Sequence, residues 1–336
     1  MAPLHTRGRL LTLSREAAIT VADVGEFGLI AAIREMLPPD VTAIVGIGDD
    51  AAVLPAPDGR TVASTDLLIE GRHFRRDWSS ARDIGTKAAA QNLADIAAMG
   101  AAPTALLFGL AVPAATAVTW VLELTGGLLA ECERAGAVIA GGDVTGADTV
   151  MLGITALGTL AGRAPVTRGG ARPGDVVAIR GAVGQSAAGL AVLQSGLEPG
   201  SGAGLAELVA AHRRPQPDYQ AAPVAAAAGA TAMIDISDGV VADLGHIAAA
   251  SGVGIEIRSE RLATASLQSA ARQLGADWRA WALRGGEDHA LAASFPPDVR
   301  LPPGWTVIGR VLAGTGVAVD GQPWRGGGGW DHFPAS

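Results

Sequence analysis

Residues 161–174 read AGRAPVTRGGARPG, a stretch rich in glycine, proline and arginine that contains no acidic residue. Regular apolar patterning stops at its start and resumes after it, so it marks a domain boundary. Upstream, GEFGLIAAIREML at 25–37 places Phe27, Ile30, Ile33 and Met36 near a helical period and ends at Pro38-Pro39. Strand patterns at 42–45 and 51–54 lead through a Pro57-Asp58-Gly59 turn to 61–69, which reads as a β-hairpin. A helix at 82–99, a strand at 104–112 and a helix at 115–135 follow. Strands at 137–141 and 149–160, joined by GGDVTGAD read as a turn, complete a mixed α/β unit. Downstream, a strand at 175–180 precedes several helices between 184 and 228. A strand ending at Asp235, a helix at 239–251 stopped by Gly252, and strands near 253–258, 289–295 and 305–319 form a second α/β unit. The expected organisation is a flexible extension at 1–22, an N-terminal domain at 23–160 and a C-terminal domain at 161–336.

The length of 336 residues fits two domains. With 49% hydrophobic and 17% charged residues the balance is globular, and a net charge of −8 argues against nucleic-acid or anionic-membrane partners. Of the 25 basic residues, 24 are arginines and one, Lys87, is a lysine preceded by Thr86. No Gly-Lys-Ser/Thr triplet exists, which excludes a Walker A phosphate loop, and the protein-kinase lysine, HRD and DFG set is missing too. A single cysteine, Cys132, allows no intrachain disulfide and no cysteine-based zinc cluster. No apolar run reaches the length of a membrane span and the leading residues lack a signal-peptide pattern, so a cytoplasmic protein is expected.

Acidic residues recur beside Gly, Ser or Thr at six apparent strand ends: Asp49-Asp50, Ser64-Thr65-Asp66, Asn92-Leu93-Ala94-Asp95, Gly141-Gly142-Asp143, Asp235-Ile236-Ser237-Asp238-Gly239 and Gly285-Gly286-Glu287-Asp288. Each alone also reads as turn or cap chemistry. Together they form a set of hard oxygen donors suited to Mg²⁺ bridging carboxylates to phosphate, with glycines that let backbone approach the phosphates. Lys87, Gln91 and Asp95 share one helical face, which reads either as a solvated stripe or as a site wall. Ser237 or Asp238 reads as a helix N-cap, a role that leaves Asp235 unexplained. Gly46-x-Gly48-x-x-Ala51 loosely resembles a dinucleotide fingerprint, but acids occupy its turn and a strand follows where a helix is needed. Arg163, Arg168 and Arg172 read as solvated surface or as a clamp on polyphosphate. His73 and Trp330 have packing readings as well as ligand ones.

In order, the motifs GEFGLI (25–30), GIGDDAAV (46–53), STDLLIEGRHF (64–74), KAAAQNLADIAAMGA (87–101), GGDVT (141–145), PVTRGGARPGD (165–175), IDISDGVVADLGHI (234–247), GGEDHAL (285–291) and GWDHF (329–333) resemble the thiamine-monophosphate kinase family. That family lies within the aminoimidazole-ribonucleotide-synthetase-like group of ATP enzymes. The resemblance implies a two-domain mixed α+β fold and a homodimer formed through the N-terminal sheets. It further implies ATP-dependent phosphorylation of thiamine monophosphate with several Mg²⁺ ions. By motif it assigns metal ligands to Asp50, Ser64, Thr65, Asp66, Asp95, Asp143, Asp235 and Asp238, of which Asp66, Asp95 and Asp238 act in catalysis through the metal. It assigns nucleotide contacts to Gly142, Asp143, Arg168 and Ser237, and substrate contacts to His73, Glu287 and Trp330. The sequence departs from the family pattern at Ala94, where serine is common, and at His289-Ala290, where tyrosine and glutamate are usual. Another ATP enzyme of the same group and a non-catalytic metal- or nucleotide-binding module are the alternative readings.

Overall fold

The computed structural model describes residues 18–38, 51–52, 54–198, 200, 202, 204–326 and 329. Helix α1 (Val21–Met36) starts inside the segment expected to be an extension. Thr20 and Asp23 close a capping box there, with Thr20 Oγ1 donating to Asp23 Oδ2 at 2.7 Å, and Thr20 bridges Ala117. The helix kinks at Gly25, whose φ of +67° is left-handed.

A four-stranded sheet in the order β1-β4-β2-β3 comprises β1 (Val62–Ile69), β2 (Ala102–Val112), β3 (Val138–Gly146) and β4 (Met151–Thr159). The hairpin expected from a strand at 51–54 paired with β1 across Pro57-Asp58-Gly59 does not form: residues 51, 52 and 54 are described and none is in a strand, and β1 pairs antiparallel with β4 instead. The GGDVTGAD segment is not a turn up to Gly146, because β3 continues through it and pairs parallel with β2. Helices α2 (Ala81–Ala98) and α3 (Val118–Ala135) cover one face of this sheet. Ser80 caps α2 by accepting from Asp83 N at 3.2 Å. The two helices meet backbone to backbone: a Cβ at Gly85 would stand 2.0 Å from Leu124 O, and one at Gly127 would stand 2.1 Å from Arg82 O. Only glycine permits this crossing, which fixes how α2 lies on the sheet.

A seven-stranded sheet in the order β11-β10-β7-β9-β5-β8-β6 follows residue 174. Its strands are β5 (Val176–Arg180), β6 (Ala232–Ile236), β7 (Gly254–Ile257), β8 (Ala290–Phe295), β9 (Thr306–Leu312), β10 (Gly316–Val319) and β11 (Gln322–Pro323). One face packs on the first unit: Ala178, Met233, Leu291, Ala293 and Phe295 belong to the same buried cluster as Ile84, Leu93, Leu106 and Ile154. The other face is covered by α4 (Gln185–Ser195), α5 (Leu205–Arg213), α7 (Val240–Ser251), α8 (Ala265–Leu274) and α9 (Trp278–Arg284), around Ile234, Leu244, Leu208 and Leu283. A short α6 (Ala221–Ala227) completes the helices. α2 is therefore sandwiched between two sheets, and its polar positions look into the seam. Tyr219 Oη donating to Glu131 Oε1 at 2.5 Å, and the Arg214–Asp83 pair at 3.3 Å, tie the units together. Among the described residues no helix is long and apolar enough to cross a membrane.

Candidate functional site

A cleft of about 1630 Å³ runs along this seam, walled by β1, α2, the Arg168 segment, the end of β6 and the 285–289 loop. Strand alternation decides what β1 contributes. Ser64 and Asp66 point toward α2, where Ser64 Oγ donates to Asp95 Oδ2 at 2.7 Å and Gln91 Nε2 donates to Asp66 Oδ2 at 3.3 Å. Asn92, fully buried, accepts from Asp66 N at 3.0 Å and donates to Ala88 O at 2.9 Å, locking strand to helix. Thr65, one residue out of phase, faces the other side of the sheet and donates to Ile154 O at 2.8 Å. Thr65 still lines the cleft, but its hydroxyl is engaged by the neighbouring strand.

From the second unit, Asp235, the penultimate residue of β6, is buried against His289, whose Nδ1 lies 3.0 Å from Asp235 Oδ2. Burial, followed by the charges of Asp235 and Asp66, pushes the Asp95 carboxyl up to about 7 against the hydrogen bond from Ser64. Asp66, Asp95 and Asp235 thus repel one another across the seam. Burial disfavours the His289 imidazolium, but the Asp235 hydrogen bond and the surrounding carboxylates outweigh it and raise its pKa. Ser237 and Asp238 line the same cleft, and neither caps α7 through its side chain: Asp243 Oδ2 accepts from Asp238 N at 3.1 Å and Gly239 N at 3.0 Å.

The GGED loop is stitched to this turn. Glu287 N donates to Ser237 O at 2.8 Å and His289 N to Ile236 O at 2.9 Å, and a Cβ at Gly286 would stand 2.2 Å from Ser237 O. Glu287 (φ +65°) and His289 (φ +53°) both adopt the left-handed conformation that side chains disfavour, so the loop is held in a strained shape. Asp288 faces away and accepts from Gly184 N at 2.5 Å and Ser186 N at 2.8 Å at the start of α4. Glu287 instead reaches the cleft, where Lys87 Nζ lies 3.0 Å from its Oε1 and His212 Nδ1 3.6 Å from its Oε2. Lys87 is buried rather than part of a solvated stripe. Burial, then Lys87, push His212 down to about 4. Although Ser186, His212 and Glu287 have the composition of a hydrolytic triad, Ser186 Oγ also approaches Nδ1, at 3.0 Å. Both partners share one ring nitrogen, so the imidazole has no relay geometry.

His73 and Arg168 line the cleft, His73 accepting from Ile69 N through Nδ1 at 3.0 Å. Gly142 and Asp143 do not: they sit on β3, at the sheet edge opposite β1. Asp50 and Trp330 lie outside the described residues. Cys132 is buried in α3, where burial pushes its thiol up to about 12, so it offers no nucleophile. Sequence reading left Lys87 open between a solvated stripe and a site wall, and it missed His212, His289 and Asp243 as parts of the site. The scarcity of lysine was the signal at Lys87. As a cation site, the cleft offers hard oxygen donors whose mutual repulsion a divalent ion relieves. Among the described residues no three His, Cys, Asp or Glu side chains converge on one coordination point. An ion held by one or two carboxylates and several waters, the habit of Mg²⁺, fits this donor set.

Residues 48–160 match the family model described as AIR synthase related protein, N-terminal domain. The chain is 48% identical over 317 residues to a thiamine-monophosphate kinase of Mycobacterium tuberculosis, covering 94% of this chain and 93% of the relative. Among solved structures, a thiamine-monophosphate kinase from Stenotrophomonas maltophilia superposes with a TM-score of 0.78 at 33% identity, covering 92% of this chain and all (100%) of that one. A structure described as AaThiL complexed with AMPPCP and TMP superposes with a TM-score of 0.77 at 34% identity, over 95% of this chain and 100% of that one.

Proposed function

The chain belongs to the thiamine-monophosphate kinase family, and from that premise we propose that the seam cleft is where it phosphorylates thiamine monophosphate to thiamine diphosphate at the expense of ATP. The observation that carries the assignment of the cleft is the crowding of Asp66, Asp95 and Asp235 from two units into one solvent-reached space. A phosphate oxygen of the acceptor attacks the γ-phosphorus in line, forming one P–O bond as the bond to the ADP leaving group breaks. Because the attacking oxygen is already anionic, no strong general base is needed, and the task is to hold two polyanions together. Mg²⁺ ions, each held by one or two of the carboxylates of Asp66, Asp95, Asp235 and Asp238, would supply the positive charge that lets the two phosphate chains approach.

The protein's own groups complete the division of labour. Arg168 lowers the charge of the triphosphate, and Ser237 offers a hydroxyl beside it. His73 and Glu287, on facing walls of the cleft, hold the thiamine end, and Trp330 remains a proposed contact to a thiamine ring. Asp50, Ser64 and Asp143 remain proposed ligands. Gly142 and Asp143 lie away from the cleft, which is consistent with their serving a nucleotide in a homodimer joined through the open face of the first sheet. There, Thr65 and the 55% exposed Leu67 present a surface to a second copy. A cytoplasmic location accords with this chemistry. The net charge of −8 argues against nucleic acid or an anionic membrane as a partner. The test is ADP release by the full chain with Mg²⁺ and ATP. Thiamine monophosphate should stimulate it strongly, whereas binding of nucleotide without stimulated release would favour a non-catalytic binding module.

A further inference from the structure

Lys87 is the chain's one lysine, and α2 buries it to 2% exposure with its ammonium in the seam. Its Nζ lies 3.0 Å from Glu287 Oε1 and donates to the His73 carbonyl at 3.2 Å. His73 follows β1 in the first unit, and Glu287 belongs to the second, so one ammonium joins the two walls of the cleft. We propose that Lys87 is a positioning residue for the acceptor substrate, clamping Glu287 and the His73 turn in the geometry that receives the thiamine end. The inference rests on the reading of His73 and Glu287 as substrate-side residues.

Three observations support the clamp. A buried ammonium is tolerated only when paired and hydrogen-bonded, and these are the two partners the structure gives it. Glu287 has its backbone fixed at φ +65° by the bond to Ser237 O, so the remaining freedom is in its carboxylate, which Lys87 orients. Burial pushes that carboxyl up, but the Lys87 ammonium, by charge and hydrogen bond, is foremost in bringing it below the usual glutamate value and keeping it charged. A compact ammonium satisfies a carboxylate and a carbonyl lying in different directions, whereas a planar guanidinium is longer and donates in a fixed fork. That gives a physical reason for lysine here in a chain that otherwise uses arginine 24 times.

Because the lysine is single, selective ¹⁵N-lysine labelling of the full chain yields one Nζ resonance. The expected result is a shift of that resonance on adding thiamine monophosphate, with none on adding Mg²⁺ and ADP alone. In steady state, Lys87→Met should raise KM for thiamine monophosphate by about tenfold or more, as expected for loss of a charged hydrogen bond. KM for ATP should stay within about twofold, and adding Glu287→Gln should cost little more than Lys87→Met alone. Equal rises in both KM values, no change in either, or full additivity would overturn the proposal. If Lys87→Met does not fold, the wild-type resonance decides: an unmoved signal overturns the clamp. Failure of the wild-type chain to phosphorylate thiamine monophosphate is a different result, and it removes the functional reading itself.

Discussion

Ser64 Oγ donates to Asp95 Oδ2 at 2.7 Å, joining the inward face of β1 to the second half of α2 at the point where Asp66 and Asp235 also crowd. A carboxylate there is costly to the bare protein, since burial and like charge push Asp95 up to about 7. On the proposed function, Mg²⁺ bound in the working complex would offset that cost. Asp66→Asn and Asp95→Asn should therefore each cut turnover by about a hundredfold or more. Their melting temperatures should equal or exceed that of the metal-free parent. Near-parental turnover in either variant removes that residue from the site.

Gly286 sits where a Cβ would stand 2.2 Å from Ser237 O. Gly286→Ala must push the GGED loop off the Asp235–Asp238 turn, breaking the Glu287 N to Ser237 O bond. Stability should fall by about 1–3 kcal/mol, the usual range for a disrupted buried hydrogen bond with strain. KM for thiamine monophosphate should rise with it. Chemical denaturation and steady-state kinetics check both.

Burial pushes Asp288 up to about 7, and its bonds from Ser186 N and Gly184 N only partly oppose this. The folded-state value is above the unfolded one, so the native chain binds the proton more tightly. The side chain's contribution to stability is thus greatest at acid pH and declines as pH rises through the window from about 4 to 7. Asp288→Asn should flatten that part of the melting-temperature profile, with the parent losing ground to the variant as pH increases. An unchanged slope contradicts the assignment.

Leu67 is 55% exposed on the open face of the first sheet. If two copies join there, Leu67→Glu buries an unpaired charge in the interface and should convert a dimer to monomers in analytical ultracentrifugation. A parent that is already monomeric, or a variant that stays dimeric, contradicts that interface.

Much of this site was legible in the sequence because metal-phosphate chemistry needs acids beside glycine and hydroxyl residues, and those clusters survive as local motifs. Asp66, Asp95 and Asp235 could be named from them. The separation of Thr65 from Ser64 and Asp66 was equally available, since neighbours on a strand face opposite ways. Gly141-Gly142 misled: it looks like a turn, yet glycine is required at 142 because a Cβ would stand 2.1 Å from Phe108 O in the neighbouring strand. α8 and α9 were not anticipated, although Thr264 and Asp277 cap them. The Lys87–Glu287 pair was invisible because its partners are distant in sequence and meet only through the packing of α2 between two sheets.

The most direct test uses the full chain with Mg²⁺, thiamine monophosphate and ATP labelled in the γ-phosphate. The label should appear in thiamine diphosphate in equal amount to the ADP formed. Label found only in inorganic phosphate, or ADP formation that ignores thiamine monophosphate, would contradict phosphoryl transfer between the two substrates in this cleft.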